Sequence, residues 1–277
     1  MATLIVALFS TQNLVAQSLS FDGDGDYVDF GDVDEVEGLD AITVEAWIYP
    51  HVLNLERQYI IAKEDSWYLT TEQNVLIFSI HGEEEPFANY TIPDVNQWYH
   101  IVGVSDSDNN TTLYVNGSQV SQVTSTTIPS SIYKLSFGSA YKNGSYWEHY
   151  FDGQIDEVAI WNDALSAMEV AALYNSGSPI SASTDYLYYT SANDLVGYWP
   201  MNEGSGSYIT DASLNVSSGT IYGATWSTDT PGSSSSTTTP DYKWFSSDSS
   251  GGPIYSWQDI TSTGTLISMY GDDINTG

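Results

Sequence analysis

Three aspartates at alternate positions, Asp22, Asp24 and Asp26, sit in the stretch FDGDGDYVDF (residues 21–30) with Gly23 and Gly25 between them. Acidic oxygens at such spacing suit a hard cation, which takes about six to eight oxygen ligands. The same residues also suit a tight turn, in which Asp side chains cap backbone N–H groups and Gly supplies unusual φ angles. An EF-hand loop is excluded by count. Starting at Asp22, the required glycine position holds Tyr27 and the required glutamate position holds Val33. Catalytic constellations are equally scarce. The four histidines, His51, His81, His100 and His149, are scattered, and neither His-Glu-x-x-His nor Gly-x-Ser-x-Gly occurs. There is no cysteine, hence no disulfide and no thiolate chemistry. His100 reads as a packed or rim residue, and HGEEEP, with Glu83, Glu84 and Glu85, as a solvated loop tip.

The elements that must carry these residues read as strand after strand. In AITVEAWIYP, Ile42, Val44, Ala46 and Ile48 alternate with Thr43, Glu45, Trp47 and Tyr49, a period of two with aromatics on the second face as well. Asn116-Gly117 between alternating flanks is a hairpin signal. One helix is predicted in SAMEVAALYNSG. Ser166 and Glu169 form a capping box, Met168, Ala171 and Ala172 supply an apolar stripe, and Gly177 ends it. Many short strands and one helix argue for an all-β sandwich. The start, MATLIVALFSTQNLVAQ, has the apolar run and small residues of a secretory signal over 1–17, without a basic residue ahead of it. The Ser/Thr-rich run around 229–240 reads as a linker, and 241–277 as the start of a truncated second β-rich module.

Charge narrows the partners. The chain has 277 residues, 36 of them Asp or Glu and 5 Lys or Arg, for a net charge of −31. Such a surface repels nucleic acid and anionic membranes. With 21 Tyr and 9 Trp, aromatic side chains remain for surface recognition.

Taken in order, SLSFDGDGDYVDF, AITVEAWIYP, QWYHIVGVSD with TTLYVNGSQV, FDGQIDEVAIWNDALSAMEVAALYNSG and GYWPMNEGSG with GTIYGATWS resemble the laminin-G-like, pentraxin-containing branch of the concanavalin A-like lectin/glucanase superfamily. The text is also similar to modules of secreted Bacteroidetes proteins. The resemblance covers residues 18–228 and implies a jelly-roll β-sandwich of two antiparallel sheets, with 194–228 as its closing strands. It also implies a Ca²⁺ site where the first and last strands meet, for which Asp22, Asp24, Asp26 and Asp156 are the candidates and Asp152 and Glu157 weaker ones. By alternation Asp156 shares a face with Val158 and Ile160, a buried carboxylate that a cation would neutralise. The turn reading without a cation stays open. The glucanase branch carries Glu-x-Asp-x-Glu on one strand; no such string occurs, and DVDEVE (32–37), flanked by Gly31 and Gly38, reads as loop.

Binding is therefore the expected activity. In YKNGSYWEHY, Tyr146, Trp147 and Tyr150 form a recognition rim, or else Trp147 and Tyr150 cover the sandwich end as core. The expected protein is a non-catalytic, calcium-supported module, secreted or at the cell surface, that holds a glycan or an extracellular protein. An accessory domain of a secreted hydrolase and a structural spacer in an adhesin are the alternatives.

Overall fold

A computed structural model describes residues 17–53, 56–80, 86–142, 144–216, 218–232, 257–260 and 266–269. The proposed signal (1–17, except Gln17), His81, Glu83–Glu85 and most of the proposed linker lie outside the described residues. The chain divides into two units, residues 1–233 and 234–277. In the second, strands Trp257–Ile260 and Leu266–Met269 pair antiparallel.

The first unit runs β1 (Ser18–Asp22), β2 (Tyr27–Asp32), β3 (Ile42–Pro50), β4 (Gln58–Lys63), β5 (Trp67–Glu72), β6 (Val75–Ile80) and β7 (Ala88–Thr91). It continues with β8 (Tyr99–Ser105), β9 (Asn110–Val115), β10 (Ser118–Thr124), β11 (Lys134–Phe137), β12 (Ala140–Lys142), β13 (Tyr146–Glu148) and β14 (Asp152–Trp161). Helix α1 (Ala167–Tyr174) precedes β15 (Leu195–Trp199), β16 (Tyr208–Ile209), β17 (Gly219–Tyr222) and β18 (Thr225–Ser227). Two eight-stranded antiparallel sheets result. The first is ordered β10-β9-β8-β3-β14-β1-β18, with β15 also on β14; the second is β16-β17-β2-β11-β4-β5-β6-β7. This is a jelly-roll sandwich with one short helix.

The period-two residues of β3 do what alternation requires. Ile42, Val44, Ala46 and Ile48 face the second sheet's Phe30, Phe137, Leu69 and Phe78 within one continuous core. The other face of the first sheet is buried too. Val102, Val104, Tyr114, Ala159 and Trp161 pack beneath Leu165, Val170, Leu173, Ala182 and Tyr189 of α1 and the chain that flanks it on either side. That second layer explains why β3 carries Trp47, fully sequestered, on the face away from the main core.

Local signals hold at the termini of elements. Ser166 caps α1 with Glu169 in a complete capping box. Asn116 and Gly117, both at positive φ, close the β9–β10 hairpin. The helix differs from expectation on its stripe. Val170 and Leu173 are its buried residues, Met168 is 60% exposed, and Asn175 in the left-handed region, not Gly177, is the C-cap. An eight-residue helix lays barely two turns on the sheet, so the bulkier i, i+3 pair takes the contact.

The two sheets approach closely where β8 meets β6. A Cβ on Gly103 would fall 2.3 Å from the Phe78 ring. Both residues are deep in the sandwich and neither backbone can yield, so overpacking is the consequence. Gly103→Ala is expected to destabilise folding by about 1–3 kcal/mol, read as a lowered denaturant midpoint with an unchanged slope in chemical unfolding.

Candidate functional site

The Asp22–Asp26 segment is a tight turn between the two sheets. Gly23 and Gly25 hold φ of 81° and 87°. The Asp24 N–H donates to Asp22 Oδ1 at 2.8 Å and the Asp22 N–H to Asp26 Oδ2 at 3.0 Å. Burial raises the Asp26 carboxyl above its ordinary range, and the nearby Asp22 charge adds to this. Register places Asp22 opposite Asp152, whose Oδ1 lies 2.9 Å from His51 Nδ1. The first strand and the last long strand of the matched region therefore do meet. Asp156 is not part of that meeting. It lies four residues further along β14, about 13 Å away at the rise of a strand.

Nor does Asp156 share the face of Val158 and Ile160. A β-bulge interrupts β14 between Asp156 and Ala159, with Glu157 at φ 48°. Asp156 pairs with Trp47 and Ala159 with Glu45, so the extra residue turns Asp156 to the helix-covered face while Val158 and Ile160 stay in the main core. The bulge has a visible cause. β1 pairs with β14 as far as Ile155, and β15 takes over the same edge from Val158, leaving 156 and 157 at the junction. The four-aspartate cation set is thus not assembled. Among the described residues no group of three or more Asp, Glu, His or Cys side chains converges to hold a metal.

The bulge instead gathers a buried acidic group. His100 Nε2 is 2.8 Å from Glu45 Oε1, both residues buried, and the His100 ring stacks on Tyr174 of α1. Tyr198 donates its hydroxyl hydrogen to Glu157. Burial and the neighbouring Glu157 charge push Asp156 well above the carboxylate range. Burial pushes Glu157 up to about 7, against the Tyr198 hydrogen bond, and Glu45 pushes the same way. Two of the 32–37 acids, Asp32 and Glu37, are also engaged. Lys63, fully buried, lies 2.6 Å from Asp32 and 2.8 Å from Glu37, so these carboxylates hold an ammonium.

The outer face of the second sheet carries a row of aromatic rings. Tyr27 of β2 lies between Trp147 of β13, with centroids 3.9 Å apart and planes at 24°, and Tyr222 of β17, at 4.7 Å and 19°. Tyr141 of β12 extends the row, 5.0 Å from Trp147. Val28 and Phe30 point into the core, so Tyr27 and Asp29 must point out, and the Tyr222–Tyr27 register pair brings the second ring alongside. Tyr222 is 45% exposed and Tyr146 49%. Tyr150 donates to the Trp147 carbonyl at 3.4 Å. Tyr27 follows Asp26 directly, so the aspartate turn borders this row; burial raises the Tyr150 hydroxyl, and Asp24's charge adds to it. Burial likewise raises Tyr27, with Tyr222 and Asp29 contributing. Of the expected rim, Trp147 is a half-buried member of the stack, Tyr150 is half-buried and bonded to the Trp147 carbonyl, and Tyr146 is exposed. Sequence reasoning missed Tyr27, Tyr141 and Tyr222. The outward phase of YVDF and of GTIY was the available signal.

Residues 22–171 match the Laminin_G_3 model of the concanavalin A-like lectin/glucanases superfamily. The chain belongs to this family. Among solved structures it is similar to a provisionally assigned carbohydrate binding protein from Bacteroides ovatus, at 21% identity and a TM-score of 0.60, covering 78% of this chain and 61% of that one. It therefore spans about three-fifths of that relative's length. A heptameric SAP-like pentraxin from Limulus polyphemus matches at 16% identity, TM-score 0.45, over 59% of this chain and 84% of that one. The binding domain of botulinum neurotoxin DC in complex with SialylT matches at 21%, TM-score 0.40, over 51% and 36%. No curated protein matches in sequence. This laminin-G-type chain thus has a lectin-like fold, and no described helix is long and apolar enough to cross a membrane.

The buried acids make stability depend on pH. Between about 4.5 and about 7 the folded protein keeps a Glu157 proton that the unfolded chain has lost, so folding weakens as pH rises through that window. Glu157→Gln, which can still accept from Tyr198, removes this loss. Its melting temperature is expected to match wild type near pH 4 and exceed it above pH 7, in thermal melts across the range.

Proposed function

We propose that this protein is a non-catalytic, extracellular recognition module that binds glycans on the outer face of its second sheet. The observation that carries the reading is the Tyr222–Tyr27–Trp147 stack, three rings from three strands fixed against one another beside an acidic turn. Sugars place their C–H faces on aromatic rings and their hydroxyls on carboxylates. Tyr222 closes the stack with a ring nearly half exposed, and Tyr27 and Trp147 behind it hold that ring in place. Rigid aromatic surface lowers the ordering cost of binding. The carboxylates of Asp24 and Asp29 lie near the row as acceptors.

The family fold and the high acidity support a role outside the cell. The reading requires no calcium, because the four candidate aspartates are divided between a turn and a buried bulge. It requires no catalysis, because Asp32 and Glu37 hold Lys63.

The test is binding to an oligosaccharide array followed by calorimetry on the strongest hit. Tyr222→Ala is expected to weaken binding several-fold to roughly tenfold, the worth of one aromatic contact, with melting little changed. Tyr222→Phe should retain most of it. Binding is expected to persist in EDTA and in Asp156→Asn. Unaltered affinity in Tyr222→Ala and Trp147→Ala would move the site elsewhere.

A further inference from the structure

Resting on the glycan reading, the structure assigns a charge preference to the aromatic row. We infer that it takes uncharged sugars and turns away uronates and sulfated sugars, and that Asp29 sets this preference by holding the Lys134 ammonium.

The argument starts from how few cations there are. Four of the five basic residues are described: Arg57, Lys63, Lys134 and Lys142. Each is tied to a carboxylate: Arg57 to Glu72 at 2.8 Å, Lys63 to Asp32 and Glu37, and Lys142 to Glu64 at 2.5 Å. Lys134 is the one at the row. Its Nζ lies 4.8 Å from the Tyr141 centroid and 5.6 Å from that of Trp147, inside cation–π range. The same atom is 2.5 Å from Asp29 Oδ2. Asp29 is itself pinned, because its Oδ1 accepts the Gly31 N–H at 2.8 Å. The ammonium therefore has a carboxylate partner that is fixed to its own strand.

An anionic sugar needs an ammonium or guanidinium free to receive it. Here it would have to displace Asp29. It would then sit near that carboxylate, near Asp24 at the Tyr150 end, and in the field of a chain carrying −31. A neutral sugar meets none of these penalties. It uses the open face of the Tyr222 ring and finds hydroxyl acceptors in carboxylates already aligned.

Asp29→Asn separates the roles. An amide oxygen can still accept from Gly31 and keep the strand geometry, but it no longer neutralises Lys134. The probe is an array of immobilised plant and algal polysaccharides, neutral (β-glucan, mannan, xylan, galactan) and anionic (alginate, pectate, carrageenan), read at low and high salt. Wild type is expected to favour the neutral set by roughly tenfold or more. Asp29→Asn should gain salt-sensitive binding to the anionic set, and the double variant Asp29→Asn, Lys134→Gln should lose that gain. Wild-type binding to anionic polymers as strong as to neutral ones, or an unchanged preference in Asp29→Asn while Tyr222→Ala weakens neutral binding as expected, overturns the charge inference alone. Neutral binding indifferent to Tyr222→Ala, or no binding to any polymer, overturns the glycan site and the inference together.

Discussion

A chain with 36 acidic and 5 basic residues can place very few cations, and the fold depends on where it places them. Of the four described cations, Lys63 and Lys134 lie on strands of the second sheet, Arg57 just ahead of β4 and Lys142 on β12 of the β12–β13 hairpin, each in contact with a carboxylate. Lys63 shows the principle most plainly. A fully buried ammonium is tolerated only with its charge and its donors satisfied, and Asp32, Glu37 and the Tyr133 carbonyl do this at one end of the sandwich. Removing one partner would leave an uncompensated charge in the interior. Acids that look available in the sequence are therefore committed in the fold.

The first sheet solves the same problem differently. It is covered on both faces, so its second-face polar residues, Glu45, His100 and Asp156, are interior groups. No Lys or Arg is described in this sheet. Protonation and the Glu45–His100 pair carry the burden there, which makes pH the variable to which this half responds. The arrangement follows from a topological fact. β1 and β15 share one edge of β14, and the bulge lies at their junction.

On the opposite surface, Tyr27 and Tyr222 stack because β2 and β17 are paired with their outward phases in register, and the separate β12–β13 hairpin lays Trp147 and Tyr141 against them. The acidic turn that drew attention first lies apart from Asp156, four residues along β14 from the Asp22–Asp152 pair. It caps its own backbone and borders this row. Function in such a fold resides in what the outward residues of adjacent strands present together.

Read alone, the amino-acid order determined what depends on near neighbours. The alternation in β3, the Asn116-Gly117 hairpin and the Ser166–Glu169 cap are all interactions within a few residues, and each stands where expected. It also determined the family, because the phrases that carry the resemblance keep their order along the chain. Tertiary structure alone decided which face Asp156 occupies, since an extra residue in β14 reverses a strict period of two. It alone decided that Tyr27 and Tyr222, far apart in the chain, would be neighbours, and that Asp29 would meet Lys134. Strand pairing between remote segments is set by the packing of the whole sandwich, and no local pattern encodes it.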